Sequence, residues 1–165
     1  MNRSGRPRHR ARVGGGPEKE PGARQPATGA PGLEFDHVAI AVRSFEEILP
    51  LLERLGGVSA TRPRQVESQG VEVCFVGKVE LIRPLANDNG VARFIERRGP
   101  GLHHIAYRVA DVGRLMDGLK AEGRAFTSAG PMTGAGGHRI AFMHPRSAGG
   151  VLVEFVERRE RSPAT

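Results

Sequence analysis

The chain has 165 residues, one cysteine and a formal net charge of +7. That length builds one ordinary domain with a real core, while a single cysteine excludes an internal disulfide and a paired-cysteine zinc site, and no apolar run reaches the roughly 18–20 residues of a membrane span. The charge does not point to nucleic-acid binding by the fold, because residues 1–32 hold six Arg and Lys19 against Glu18 and Glu20 and so carry +5 of the +7.

In chain order, residues 1–32 come first, with seven Gly, five Pro and almost no large apolar side chain. Such a composition cannot offset ordering entropy by burial, so the segment is read as a disordered basic tail. An electrostatic tether to RNA, DNA or an acidic surface is the functional alternative. An Arg-rich organelle leader is a second, but two glutamates and the Gly/Pro breakers leave it no apolar helical face. Deleting residues 1–32 is expected to leave the melting temperature nearly unchanged. A large drop, by calorimetry, would show that the tail docks on the domain.

Patterning begins at Leu33. "LEFDHVAIAV" reads as a strand ending at Val42, and "FEEILPLLERLGG" as a helix closed at Gly56–Gly57, with Pro50 kinking it or lying near its first turn. "VEVCFVGKVELIRPL" reads as two strands around a tight turn at Gly77–Lys78, and "GVARFIERRG" as a short helix with Val91, Phe94 and Ile95 on one side. The order then begins again. "LHHIAYRV" is a strand, "VGRLMDGLKAEG" a helix ended by Gly123, and "RIAFMHPRSAGGVLVEFVE" two strands across a longer loop.

Superposing the halves makes this recurrence explicit. "FDHVAIAVRSF" lies over "LHHIAYRVADV" at an offset of 67, which places His37 over His104, and "CF" at 74–75 lies over "AF" at 141–142. "VELI" at 79–82 then lies over "VEFV" at 153–156 at an offset of 74, the second turn being longer. An internal repeat of β-α-β-β units is the strongest organisational signal in the chain. It also separates the adjacent histidines, since His104 has a counterpart and His103 has none. With side chains alternating along a strand, His103 is expected to face the opposite side.

Each half therefore offers one histidine on its first strand and one glutamate inside an apolar last strand: His37 with Glu80, and His104 with Glu154. A glutamate among Val, Leu, Phe and Ile is costly if buried without a partner. If the halves pack about a pseudo-twofold axis, two imidazoles and two carboxylates converge, a set suited to one divalent metal with positions left for substrate. The competing reading makes them outward-facing strand residues; matched positions in a repeat favour the metal.

"FDHVAIAV", "SQGVEV", "VELIRPL", "GLHHIAYRVADV", "HRIAFMHP" and "GGVLVEFVE" together resemble the vicinal-oxygen-chelate (glyoxalase, bleomycin-resistance, dioxygenase) superfamily over residues 34–157, and within it the methylmalonyl-CoA epimerases. The resemblance implies an α+β fold of two tandem βαβββ modules, about 33–98 and about 99–160, with curled mixed sheets forming a metal-binding cleft. It implies a further strand per module, around 57–63 and 123–129. It also implies ligands at His37, Glu80, His104 and Glu154 for cobalt, manganese, nickel or zinc, with Gln at the Glu80 position in some relatives. The partners it implies are an acyl-CoA substrate and a second copy in a homodimer, with no specific nucleic acid and no membrane, in the cytoplasm.

The same resemblance implies the chemistry. Epimerisation at C2 of methylmalonyl-CoA removes a proton flanked by a thioester and a carboxylate, and Glu154 is the family-like base for one transfer. The opposing glutamate of some members falls here on Val73, leaving Glu72 beside it as the second catalytic candidate, which points away unless a bulge shifts the strand. Gln69, Arg146 and Ser147 are candidate substrate-binding residues; the last two could instead cap a turn. Two other classes carry the same pattern: a glyoxalase I-like lactoylglutathione lyase, and a metal-free small-molecule-binding protein of the resistance type. "GPMTGAGGHRIAF" lacks the Lys-Ser/Thr of a P-loop and reads as a flexible connection, and Cys74 reads as inert core.

Overall fold

The computed structural model describes residues 33–158, so the reading of residues 1–32 as a tail lies outside the described residues. The elements run β1 (Glu34–Ala41), α1 (Leu49–Gly56), β2 (Arg64–Val66), β3 (Val71–Val76), β4 (Val79–Pro84), α2 (Gly90–Arg98), β5 (Gly101–Arg108), α3 (Val112–Ala121), β6 (Met132–Thr133), β7 (Arg139–Met143) and β8 (Val153–Glu157). Their eight strands form one curled mixed sheet in the order β2-β3-β4-β1-β5-β8-β7-β6. Read inward from either end, this order presents the same members of the two modules.

The register makes the symmetry exact at the level of residues. At the centre β1 and β5 pair antiparallel with His37 opposite Ala106 and Ala39 opposite His104, so exchanging the modules maps each pair onto the other. Outward from there, β1 pairs β4 in parallel with Ala39 opposite Glu80, and β5 pairs β8 in parallel with Ala106 opposite Glu154. The sequence repeat is thus a repeat of hydrogen-bonding positions.

Local chemistry explains the element ends. Gly77, at φ 59°, makes the turn between β3 and β4 that an L side chain would strain. Asn89 and Asp111 cap α2 and α3 by accepting hydrogen bonds from the backbone N–H groups of Ala92 and Arg114. The first helix begins at Leu49 and not at Phe45, because Pro50 has no N–H to give and is tolerated only in the first turn, where it stands. The additional strands also lie further along than 57–63 and 123–129. β2 forms at Arg64–Val66 and β6 at Met132–Thr133, while Phe126 makes only a single bridge to Met143.

The two faces of the sheet divide the labour. On the convex side Cys74 and Leu81 pack with Val42 and Phe45 and against α1, and Val153 and Phe155 pack with Val112 and Met116 of α3. On the concave side the central positions are Ala39 and Ala106, both with no exposure, whose single methyl groups leave the floor of the cleft open for longer neighbours. Cys74 is buried, and its thiol is pushed up to about 11 by desolvation and by Glu72, Glu80 and Glu53, which fits inert core. Among the described residues no helix is long and apolar enough to cross a membrane.

Candidate metal centre

The four residues matched by the repeat meet at the middle of the concave face. His37 comes from β1, Glu80 from β4, His104 from β5 and Glu154 from β8, and each is only 4–6% exposed. The Nε2 atoms of the two histidines lie 3.3 Å apart. Glu154 Oε2 stands 3.2 Å from both nitrogens, and Glu80 Oε2 stands 3.5 Å from His37 and 3.6 Å from His104. His37, Glu80 and His104 form a group able to hold a metal ion. Separations of this size suit nitrogen and oxygen donors around an ion bonded at about 2.0–2.2 Å, and two imidazoles with two carboxylates suit a divalent cation.

Mutual hydrogen bonding shifts the titration of His37 and Glu154. Burial alone would lower the His37 pKa, but its hydrogen bonds to Asp36, Glu154 and Glu80 outweigh that and raise it to about 11. Burial would likewise raise Glu154, yet hydrogen bonds from His104 and His37 bring it down to about 2, so its carboxylate stays ionised. The site is a buried, concentrated pair of carboxylates that calls for positive charge.

Each imidazole is held on more than one side. The Phe75 ring meets His37 edge-on with centroids 5.5 Å apart, and Phe142 meets His104 in the same way at 5.3 Å. Phe75 lies opposite Glu80 in the ladder and Phe142 opposite Glu154, so both modules build the same box. Asp36 Oδ1 meets His37 Nδ1 at 2.9 Å, and His103 Nδ1 meets His104 Nδ1 at 2.9 Å. His103 therefore does not simply face away: it reaches the back of His104 while also lining a cleft on the other side of the sheet with Phe94 and Leu102.

A cavity of about 560 Å³ opens above the four residues. Val66, Val71, Val73 and Ile82 give it one apolar wall, Ile140, Phe142 and Val156 the other, and Arg62, Arg64, Arg158 and His138 add cationic or titratable groups. Gln69 also lines it. Glu72 does not: it stands opposite Arg83 in the β3–β4 ladder, accepts a hydrogen bond from its Nε at 2.8 Å and forms an ion pair with its Nη2 at 2.7 Å, while its neighbour Val73 faces the cavity. Arg146 and Ser147 also lie outside the lining, in a one-turn 3-10 helix after β7. There the Arg146 backbone N–H donates to His144 Nδ1, capping the turn, and the Ser147 hydroxyl accepts from the Ala125 N–H, tying the loop to the segment after α3.

Sequence reasoning missed Asp36, Phe75, Phe142, Arg62, Arg64, His138 and Arg158. The offset of 67 already paired Phe75 with Phe142 and Asp36 with His103, and that correspondence was the available signal. The cationic residues had none, since single charges near strand ends look like solvated faces.

Comparison with known proteins agrees with this geometry. Residues 36–142 match the Glyoxalase/Bleomycin resistance protein/Dioxygenase superfamily. The uncharacterized protein YqjC of Bacillus subtilis is 37% identical over 127 residues, covering 74% of this chain and 91% of that protein. The ethylmalonyl-CoA/methylmalonyl-CoA epimerase of Cereibacter sphaeroides is 36% identical over 127 residues, covering 73% and 95%. Among solved structures, the methylmalonyl-CoA epimerase of Mycobacterium tuberculosis superposes with a TM-score of 0.72 at 28% identity, over 77% of this chain and 89% of that one.

Proposed function

We propose a function from one premise: the chain belongs to the Glyoxalase/Bleomycin resistance protein/Dioxygenase superfamily. It is a methylmalonyl-CoA epimerase, interconverting the two C2 configurations of that thioester. The observation that carries this reading is the convergence of His37, Glu80, His104 and Glu154 on the floor of a single cavity, in a chain whose relatives include epimerases. Those four residues would hold one divalent ion, of the cobalt, manganese, nickel or zinc type. When bound, it supplies a Lewis acid that stabilises the negative charge developing on the thioester oxygen as the C2 proton leaves.

The protein's own groups do the rest. Glu154 is proposed both to hold the ion and to take up the C2 proton, because it is an ionised carboxylate directed into the cavity. Glu80, its repeat partner, is proposed as a ligand only. The apolar walls exclude water from the reacting carbon, which strengthens every charge interaction at the floor. Arg62 and Arg64, with Gln69, line the cavity and are proposed to meet the carboxylate or phosphates of an acyl-CoA. Glu72 is engaged by Arg83 outside the cavity, so Glu154 is assigned the proton transfer on one face of the planar intermediate and Glu72 is not assigned the other. A homodimer of 17.8 kDa chains completes the proposal.

Purified protein loaded in turn with cobalt, manganese, nickel and zinc should epimerise methylmalonyl-CoA and leave methylglyoxal plus glutathione unconsumed. Turnover of the glutathione adduct alone would make the protein a lactoylglutathione lyase. Turnover of neither, with no metal retained, would make it a binding protein.

A further inference from the structure

The ladder between β1 and β5 is not continuous. Phe35 pairs with Tyr107 and His37 with Ala106, leaving Asp36 without a place; Ala39 pairs with His104 and Ile40 with Leu102, leaving His103 without one. Both are β-bulge residues, and the offset of 67 relates them as it relates His37 to His104. A bulged residue leaves the strict alternation of the strand, so its side chain can swing beside that of the next residue. That is what both do. Asp36 Oδ1 lies 2.9 Å from His37 Nδ1, and His103 Nδ1 lies 2.9 Å from His104 Nδ1.

Resting on the metal-centre reading above, we infer that Asp36 and His103 are positioning residues which engage the Nδ1 atoms of the two histidines, thereby aim both Nε2 atoms at one point, and make the two halves of the site unequal. A neutral imidazole that donates its Nδ1 proton presents Nε2 with a free lone pair, the form a metal ligand requires. For His104 Nε2 to serve as a ligand, His104 Nδ1 must donate to a His103 Nδ1 that carries no proton, so in this reading a neutral imidazole backs His104. A carboxylate backs His37. That carboxylate is itself clamped, accepting from Arg158 Nε at 2.7 Å and Arg158 Nη2 at 2.6 Å, with Arg108 Nε 3.5 Å away. His103, in contrast, packs edge-on against Phe94 with centroids 4.9 Å apart. The duplicated fold thus repeats the bulge but not its chemistry, and the anionic partner makes His37 the stronger donor.

The test is titration of the metal-free full chain with Co2+ against a competing chelator, alongside the melting temperature of the metal-free protein. Asp36→Ala should weaken Co2+ binding by about 10–100-fold, the usual cost of losing a partner behind a ligand. His103→Phe, which keeps a ring but no acceptor, should weaken it by about 10-fold. His103→Asn, which can place an oxygen where Nδ1 stands, should restore binding to within about 3-fold of the parent. Should Asp36→Ala fail to fold, Asp36→Asn keeps the shape, removes the charge, and should still lose affinity. Parent-like affinity in both Asp36→Asn and His103→Phe overturns the positioning roles, as does a His103→Asn no better than His103→Phe. If the parent protein itself binds no Co2+, the metal-centre reading has failed instead, which is a distinct outcome.

Discussion

His104→Ala is expected to remove bound metal and epimerase activity together, while His103→Ala should still carry one metal per chain when the ion is saturating. His104 supplies an Nε2 that stands 3.2 Å from Glu154 and 3.6 Å from Glu80, and Ala offers no donor in its place. Two carboxylates and one imidazole then remain around an uncompensated gap, so the loss of affinity should exceed the roughly 100-fold limit seen when only an outer partner is removed. His103 touches His104 from behind and contributes no atom to the cluster, so its removal weakens binding without abolishing it. Elemental analysis of the purified variants beside an activity assay reads both quantities. Equal behaviour of the two variants, or the larger loss in His103→Ala, would mean that His104 is not the ligand.

Glu154→Gln should retain much of the metal yet lose about 10²-fold or more in rate, the scale of a missing general base. Gln keeps an oxygen donor, so coordination survives, but its amide cannot accept the C2 proton. Glu80→Gln should keep both metal and substantial activity, because the family resemblance allows Gln there and the proposal gives Glu80 no proton to carry. The two residues occupy equivalent positions, each opposite a buried alanine in a parallel ladder, so a purely structural effect would strike both variants alike. A difference between them therefore reports chemistry rather than folding. If Glu154→Gln epimerises at the parent rate, Glu154 is not the base.

Much of this site is legible in the residues because it was built twice. The offset of 67 pairs His37 with His104 and Phe75 with Phe142, and the offset of 74 pairs Glu80 with Glu154. Once two such modules share a central antiparallel pair, the four ligand-type residues have to meet. The bulges were not legible. Strand alternation assigns His103 to the far side, and nothing in side-chain periodicity announces that the ladder skips a residue at 36 and 103. Short edge strands escape for a related reason: three residues in β2 and two in β6 are too few to show a period, so 57–63 and 123–129 stood in for strands that begin at Arg64 and Met132. Arg146 and Ser147 lie in a loop whose composition suits either a turn or a ligand contact, and the structure places them outside the cavity lining. Arg158 is invisible as a functional residue until the fold carries it across to Asp36.

The central claim is metal-dependent removal of the C2 proton, and the most direct measurement is exchange of deuterium from solvent into C2 of methylmalonyl-CoA. It reports proton removal even when product is not released. The metal-loaded protein should incorporate deuterium at C2, lose that exchange on treatment with a chelator, and regain it when one of cobalt, manganese, nickel or zinc is restored. Protein that retains its metal and yet incorporates no deuterium, or that exchanges equally well after the metal has been stripped, would contradict the account.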